Sequence, residues 1–407
     1  MFALNFQFGP EILLCLILLF VFTLRFKVRP RAALLIKVPV AKVWALLAPY
    51  DGKIDQWGNM QILTTLISDE TKSYAIQYAT TQSNGIVRKF FAQFTLAEMV
   101  ENRLLVMKRE GLEGKSLNNE LLEIRYEFEA LGEATKLRTT YVWGPRPFLA
   151  QLLARADLWG GIFRIKGLAE TGQPNNRPYW IINGLVALVT ALISVAAFSM
   201  FTSWLFAWIL VFALLVHEFG HLLAFRLIGQ PWGRVVFLPF LGAMAVPRLP
   251  YESQAQSVFA ALMGPGFSVL LAGVCVFPTL WGWQSARIFL GVGLLTAALN
   301  AFNLLPAEPL DGGIALRSIL TRLVGKSAWS ALLSIGLLMI AVGVALGQFG
   351  LAIFGVFSVL ANLRRRKIDI GLIPLTSLQM CIAVFGYVAI ASAHVTMMSW
   401  FLRQLGV

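Results

Sequence analysis

Two histidines one helical turn apart carry the most specific chemistry in this chain. His217, Glu218, Phe219, Gly220 and His221 form an H-E-x-x-H pentad inside an apolar run. On a helix, positions i and i+4 are neighbours on one face, so both imidazoles can grip the same ion. Glu218 then lies about a hundred degrees round, beside them. That arrangement combines two zinc ligands with a general base. The bland alternative is a buried His–Glu pair that only steadies a helix bundle. Ionisable groups at membrane depth are costly and by default functional. The stretch 211–223 is otherwise apolar apart from these three residues and Gly220, which favours the chemical reading.

A catalytic zinc takes three protein ligands and keeps one position for water. Cysteine does not supply the third: Cys15, Cys275 and Cys381 sit far apart in apolar runs, with no CxxC spacing, and read as small buried hydrophobes. His394 is an isolated candidate near the end of the last apolar run. Asp311 is the better one, in the stretch Asn303, Leu304, Leu305, Pro306, Ala307, Glu308, Pro309, Leu310, Asp311, Gly312, Gly313. Two prolines and two glycines end an apolar span there, and unwound backbone could swing a carboxylate towards His217 and His221. Taken alone, Asp311 also suits the N-cap of a helix over 314–320.

These residues need a membrane scaffold. Of 407 residues, 57% are hydrophobic and only 14% charged, against roughly 25% charged in soluble chains. That excludes a wholly water-soluble globule, a disordered chain and a disulfide scaffold. The net charge of +13 lacks the basic stripe with interleaved aromatics that nucleic acid would require. The positive charge flanks apolar segments instead, as the positive-inside rule predicts. Beyond residue 178 there are only five acidic residues. Apolar runs near 12–24, 179–199, 203–228, 257–280, 286–305, 327–346, 350–363 and 372–396 predict about eight spans, the seventh short and paired in a hairpin with the sixth. No basic residue precedes the first run, no cleavage site follows it, and Arg25, Lys27, Arg29 and Arg31 come after it. A cleaved signal peptide is therefore not expected, and residue 30 is expected on the cytoplasmic side. Pro239, Gly242 and Pro247 break the apolar stretch 233–247 into a loop or hairpin dipping into the membrane, tolerable only where buried in protein or lining a wet cavity; an amphipathic surface loop is the other reading.

Three parts follow: an N-terminal span over 1–30, a charged α+β domain over 31–172, and a membrane domain over 173–407. In the middle part a strand over 33–38 and a short helix over 40–47 precede stretches of strand character at 73–80, 86–98, 103–110, 120–130 and 136–143. Two of these alternate clearly. Ile124, Tyr126 and Phe128 share one face, as do Leu137, Thr139, Tyr141 and Trp143, which predicts antiparallel strands with one wet side. A long helix over 147–170 closes the domain, with Gly160 and Gly161 as a weak point.

Short helix, strand meander and long C-terminal helix resemble the START/polyketide-cyclase-like superfamily, with its helix-grip fold. The matching residues are the run from Val38 to Leu47, Tyr126 to Glu129 with the strand after it, and Arg164 to Glu170. Such a resemblance implies an apolar ligand cavity between sheet and long helix; a filled core serving as an interaction module is the other reading.

The membrane motifs resemble the site-2 protease family of intramembrane zinc metalloproteases. The resemblance rests on His217 to His221, on Asn303, Pro306, Pro309, Asp311 and Gly312, and on Ala261 to Gly266 in the span between. It implies His217, His221 and Asp311 as ligands of Zn2+, Glu218 as catalytic base and Asn303 as a polar donor near the scissile carbonyl. It also implies that 233–247 is a β-segment offering an edge to an extended substrate. The expected substrates are transmembrane segments of other membrane proteins, rich in glycine or proline because a helical amide is shielded. Compactness and the family's distribution point to a bacterial inner membrane, with the α+β domain cytoplasmic. Two rivals remain: the same fold with its site lost, and a non-enzymatic protein that binds lipid or a partner through the helix-grip domain. Glu308 stands where the family is usually apolar or proline; facing water it is inert, facing inward it would alter metal affinity. Ser268 stands where many members carry asparagine, and no role is assigned to it.

Overall fold

The computed structural model describes residues 25–57, 60–81, 87–110, 121–240, 242–249, 251–283, 286–365 and 372–406. The chain divides into two compact units, 1–183 and 184–407.

The first unit is an antiparallel sheet closed by a long helix. Its strands are β1 (Arg25–Val28), β2 (Arg31–Ile36), β3 (Ile54–Trp57), β4 (Met60–Ser68), β5 (Ser73–Thr81), β6 (Val87–Val100), β7 (Leu104–Glu110), β8 (Leu121–Leu131) and β9 (Ala134–Pro147). They pair in the order β1-β9-β8-β7-β6-β5-β4-β3, with β2 also on β9. Helix α1 (Val40–Leu47) follows β2, and α2 (Phe148–Thr171) follows β9. The alternation read from sequence sets the register: Ile124 pairs with Tyr141, Tyr126 with Thr139 and Phe128 with Leu137. The sheet also takes in Arg25–Val28, ahead of the expected start. Strands β3 and β4 carry no clean period of two: in β4, Ile62 and Leu66 lie on one face while Leu63 and Ile67 lie on the other.

Trp44, Leu105, Tyr126, Phe128, Leu137, Leu158, Ile162 and Ile165 cluster beneath the sheet. A groove of about 880 Å³ lies on the other face, lined by Arg31, Arg125, Arg138, Glu123 and Glu127 among others. Within the core, burial pushes the Tyr78 and Tyr141 phenols up to about 12, so they stay neutral donors. Helix α2 runs unbroken through Gly160 and Gly161. These glycines mark close packing: a Cβ at Gly160 would come 2.4 Å from the Tyr179 ring, and one at Gly161 2.8 Å from the Tyr141 hydroxyl.

Beyond the polar linker the helices are α3 (Arg177–Ser199), α4 (Trp204–Leu227), α5 (Gln254–Val274, with a further turn at Phe277–Leu280), α6 (Ala286–Asn303), α7 (Asp311–Val324), α8 (Ala328–Ala345), α9 (Phe349–Arg365) and α10 (Ser377–Leu405). Among the described residues six helices are long and apolar enough to cross a membrane: α3, α4, α5 with its extra turn, α6, α8 and α10. They account for six of the eight expected spans. The expected span at 12–24 lies outside the described residues. The seventh folds as α9, 17 residues long, about 25 Å at 1.5 Å per residue and shorter than the roughly 30 Å hydrocarbon core. It forms the expected hairpin with α8, where a Cβ at Gly343 would lie 2.5 Å from the Ala352 nitrogen.

Three features frame the interior of this unit. The stretch 233–247 is a two-stranded hairpin, β10 (Arg234–Leu238) and β11 (Gly242–Val246), with Phe240 and Gly242 at positive φ in its turn. Helices α4 and α5 meet at glycines: a Cβ at Gly220 would lie 2.3 Å from the Met263 carbonyl oxygen. Ile373 bridges to Ser253, and Gln254 Oε1 accepts the Leu375 N–H, so α10 starts beside the head of α5.

Candidate metal centre

Helix α4 presents His217 and His221 on one face, as their spacing requires, and both are buried with Glu218. Helix α6 stops at Asn303; after the turn, Asp311 opens α7. Asp311 is not the N-cap. Leu310 holds that position, without a side-chain cap bond, and the Asp311 carboxylate turns to the imidazoles instead. Its Oδ2 lies 3.1 Å from His217 Nε2 and 3.4 Å from His221 Nε2. The two Nε2 atoms are 3.0 Å apart.

This triangle can be tested against an ion. Metal–ligand bonds of about 2.0–2.1 Å in a tetrahedron set donor atoms roughly 3.3 Å apart. Three donors at 3.0 to 3.4 Å match that edge, and without a cation the two imidazole nitrogens and the carboxylate would compete for the same protons. His217, Glu218 and His221 also group their ligand atoms within 4.8 Å of one another. The donor set, two imidazoles and a carboxylate, suits zinc.

The outer contacts set the imidazole tautomers. His217 Nδ1 is 2.7 Å from Asn300 Oδ1, and His221 Nδ1 is 2.7 Å from the Ala260 carbonyl oxygen. Both acceptors demand a proton on Nδ1, which leaves each Nε2 lone pair facing Asp311. Metal-bound histidines are oriented in this way. The Asn300 amide is in turn oriented by its Nδ2 donating to the Thr296 carbonyl at 2.7 Å. Asn300 was not singled out from the sequence. The signal was there: Thr296, Asn300 and Asn303 form a polar stripe at i, i+4 and i+7 along an otherwise apolar helix. Asn300→Leu removes the acceptor, and we expect metal affinity to fall about 10- to 100-fold. Chelator competition on the purified protein measures it; unchanged affinity would show that Asn300 has no such role.

The other residues read from the sequence are placed as follows. Glu218 is 3% exposed, and its Oε2 has no hydrogen-bond partner. Asn303 Nδ2 lies 3.5 Å from His217 Nε2. His394 is not among the donors; its Nε2 is 2.9 Å from the Pro265 carbonyl oxygen. Glu308 faces neither water nor the donors: it is fully buried and paired with Arg317 of α7 at 3.0 Å. Ser268 donates to the Gly264 carbonyl within its own helix. Gly264 cannot carry a side chain, since a Cβ there would sit 2.3 Å from His221 Nε2.

No protein-family model matches the chain. Over 126 residues, 30% of its length, it is 28% identical to a zinc metalloprotease of Methanocaldococcus jannaschii. Over 197 residues it is 30% identical to a Synechocystis protein whose zinc metalloprotease name is itself provisional. The chain spans 36% and 52% of the lengths of these two relatives. Among solved structures, the site-2 protease from Methanocaldococcus jannaschii matches with a TM-score of 0.32 at 20% identity, covering 46% of this chain and 90% of that one. A START superfamily protein from Mycobacterium smegmatis matches with a TM-score of 0.25 at 9% identity, covering 35% of this chain and 92% of that one. Over part of its length the chain is thus similar in sequence to two proteins named as zinc metalloproteases.

Proposed function

We propose that this chain is an intramembrane zinc metalloprotease that hydrolyses peptide bonds in the transmembrane segments of other membrane proteins. The observation that carries the reading is the donor triangle of His217, His221 and Asp311 with the buried Glu218 carboxylate alongside. His217, His221 and Asp311 are the proposed zinc ligands. Zinc, when bound, polarises the peptide carbonyl and acidifies water. Glu218 takes the proton of the attacking water and passes it to the leaving amine. Its free Oε2 is the acceptor. The Asn303 amide donates to the oxygen on which charge develops. Strand β11, less buried than β10, offers its backbone to an extended substrate segment.

The proposed setting is a bacterial inner membrane with the first unit on the cytoplasmic side, consistent with basic residues at Arg25 to Arg31 and Arg364 to Lys367. The helix-grip-like unit is proposed as a regulatory module for an apolar ligand between its sheet and α2. Mass spectrometry of the purified protein should find a lipid bound to that unit; none would leave the filled core as a partner-binding module. The proteolytic reading is tested in proteoliposomes with a transmembrane substrate containing glycine and proline. Cleavage should require zinc and stop with chelator. Cleavage that survives complete metal removal would sink it.

A further inference from the structure

Helix α10 supplies no proposed ligand, yet it reaches the turn that precedes Asp311 and α5, the helix that backs His221. Tyr387 and His394 lie seven residues apart, two turns, and therefore share one face. The Tyr387 hydroxyl donates to the Leu304 carbonyl. Leu304 is the first residue past α6 and is 3% exposed. Its carbonyl oxygen stands against the residue after Asp311: a Cβ at Gly312 would lie 2.2 Å from it. The apolar contacts around this bond bring Ala383 and Ile390 of α10 against Leu304, Ala315 and Ile319. Tyr387 therefore closes on the turn that delivers the aspartate.

His394 performs the matching task two turns on. It is fully buried, and its Nε2 lies 2.9 Å from the Pro265 carbonyl oxygen. A carbonyl only accepts, so Nε2 carries the proton and Nδ1, which has no hydrogen-bond partner, is a bare acceptor. Pro265 follows Gly264, the residue against which the His221 ring rests. The same helix, α5, supplies the Ala260 carbonyl that orients His221. A shift of α5 would move that ring.

We infer that α10 is the positioning element of the metal centre, with Tyr387 setting the Asp311 turn and His394 setting the α5 backing of His221. The rigid two-turn spacing of one helix thereby fixes the gap between ligands that come from different parts of the chain. Neither residue touches metal or substrate; each acts through a backbone carbonyl. The inference rests on the proposed zinc ligation by His217, His221 and Asp311.

The test uses the full chain in detergent, with zinc affinity read by chelator competition and coordination read from the visible spectrum of the cobalt-substituted protein. Tyr387→Phe removes one hydroxyl, and we expect it to weaken metal binding about 10- to 100-fold, as loss of outer contacts does, and to shift the cobalt bands. His394→Leu should do the same. His394→Gln, which can still donate to Pro265, should restore wild-type affinity and bands. Phe385→Ala, on a lipid-exposed side of the same helix at 76% exposure, should leave both unchanged. Wild-type affinity and spectrum in Tyr387→Phe and His394→Leu would overturn the inference, whether or not their melting temperature falls. A wild-type protein that binds neither zinc nor cobalt would overturn the ligation beneath it, a result seen before any variant is made.

Discussion

Glu218→Gln should retain one zinc per chain and lose cleavage by a factor on the order of 10² to 10⁴, the range general-base removal spans. The substitution is close to isosteric, and the site has little room for anything else: Glu218 is 3% exposed on a helix whose neighbouring glycine touches α5. What the variant lacks is a group able to take a proton, and its NH2 would point a donor where an acceptor is needed. Metal analysis and steady-state cleavage, measured on the same preparation, separate the outcomes. Full cleavage by this variant would refute Glu218 as base. Loss of zinc together with cleavage would instead make Glu218 a ligand.

The second large effect is on the metal itself. His217→Ala should bring zinc from about one per chain to near zero at micromolar free metal. Three donors at 3.0 to 3.4 Å from one another become two, and a two-point site gives up most of its coordination. The truncation has a further cost, because Asn300 Oδ1 loses its donor inside the protein; a buried orphan acceptor costs about 1–3 kcal/mol. Asp311→Asn is the sharper probe. It preserves shape and an oxygen but removes the negative charge that balances the cation, so zinc binding should weaken strongly while the apo fold persists. Elemental analysis of wild type and both variants decides it, with thermal melting to confirm folding. Wild-type zinc content in His217→Ala would mean that the metal, if any, lies elsewhere.

The sequence was most informative where one element carries the whole pattern. His217 and His221 had to share a face because they lie four apart on a helix, and Ile124, Tyr126 and Phe128 had to share one because they alternate on a strand. It was least informative where hydrophobicity falls on both faces, as in β4, or where a role belongs to the backbone. The Ala260 carbonyl orients His221, and alanine as a residue type announces nothing of the kind. Asn300 was legible in principle as part of a polar stripe, but only tertiary contact shows that it serves His217. Gly160 and Gly161, weak on propensity alone, proved to be contact points, because propensity counts the backbone cost and not the neighbour that needs the space.

Spacing along the chain, then, determined the imidazole pair, the candidate base, the apolar segments and the strand faces, since each follows from the repeat of a single helix or strand. Tertiary structure alone decided that Asp311, 90 residues beyond His221, turns into the triangle and not into a helix cap, and that buried Glu308 pairs with Arg317. Both outcomes depend on where separate helices cross, and crossings are set by packed volumes and buried polar partners that no local period encodes.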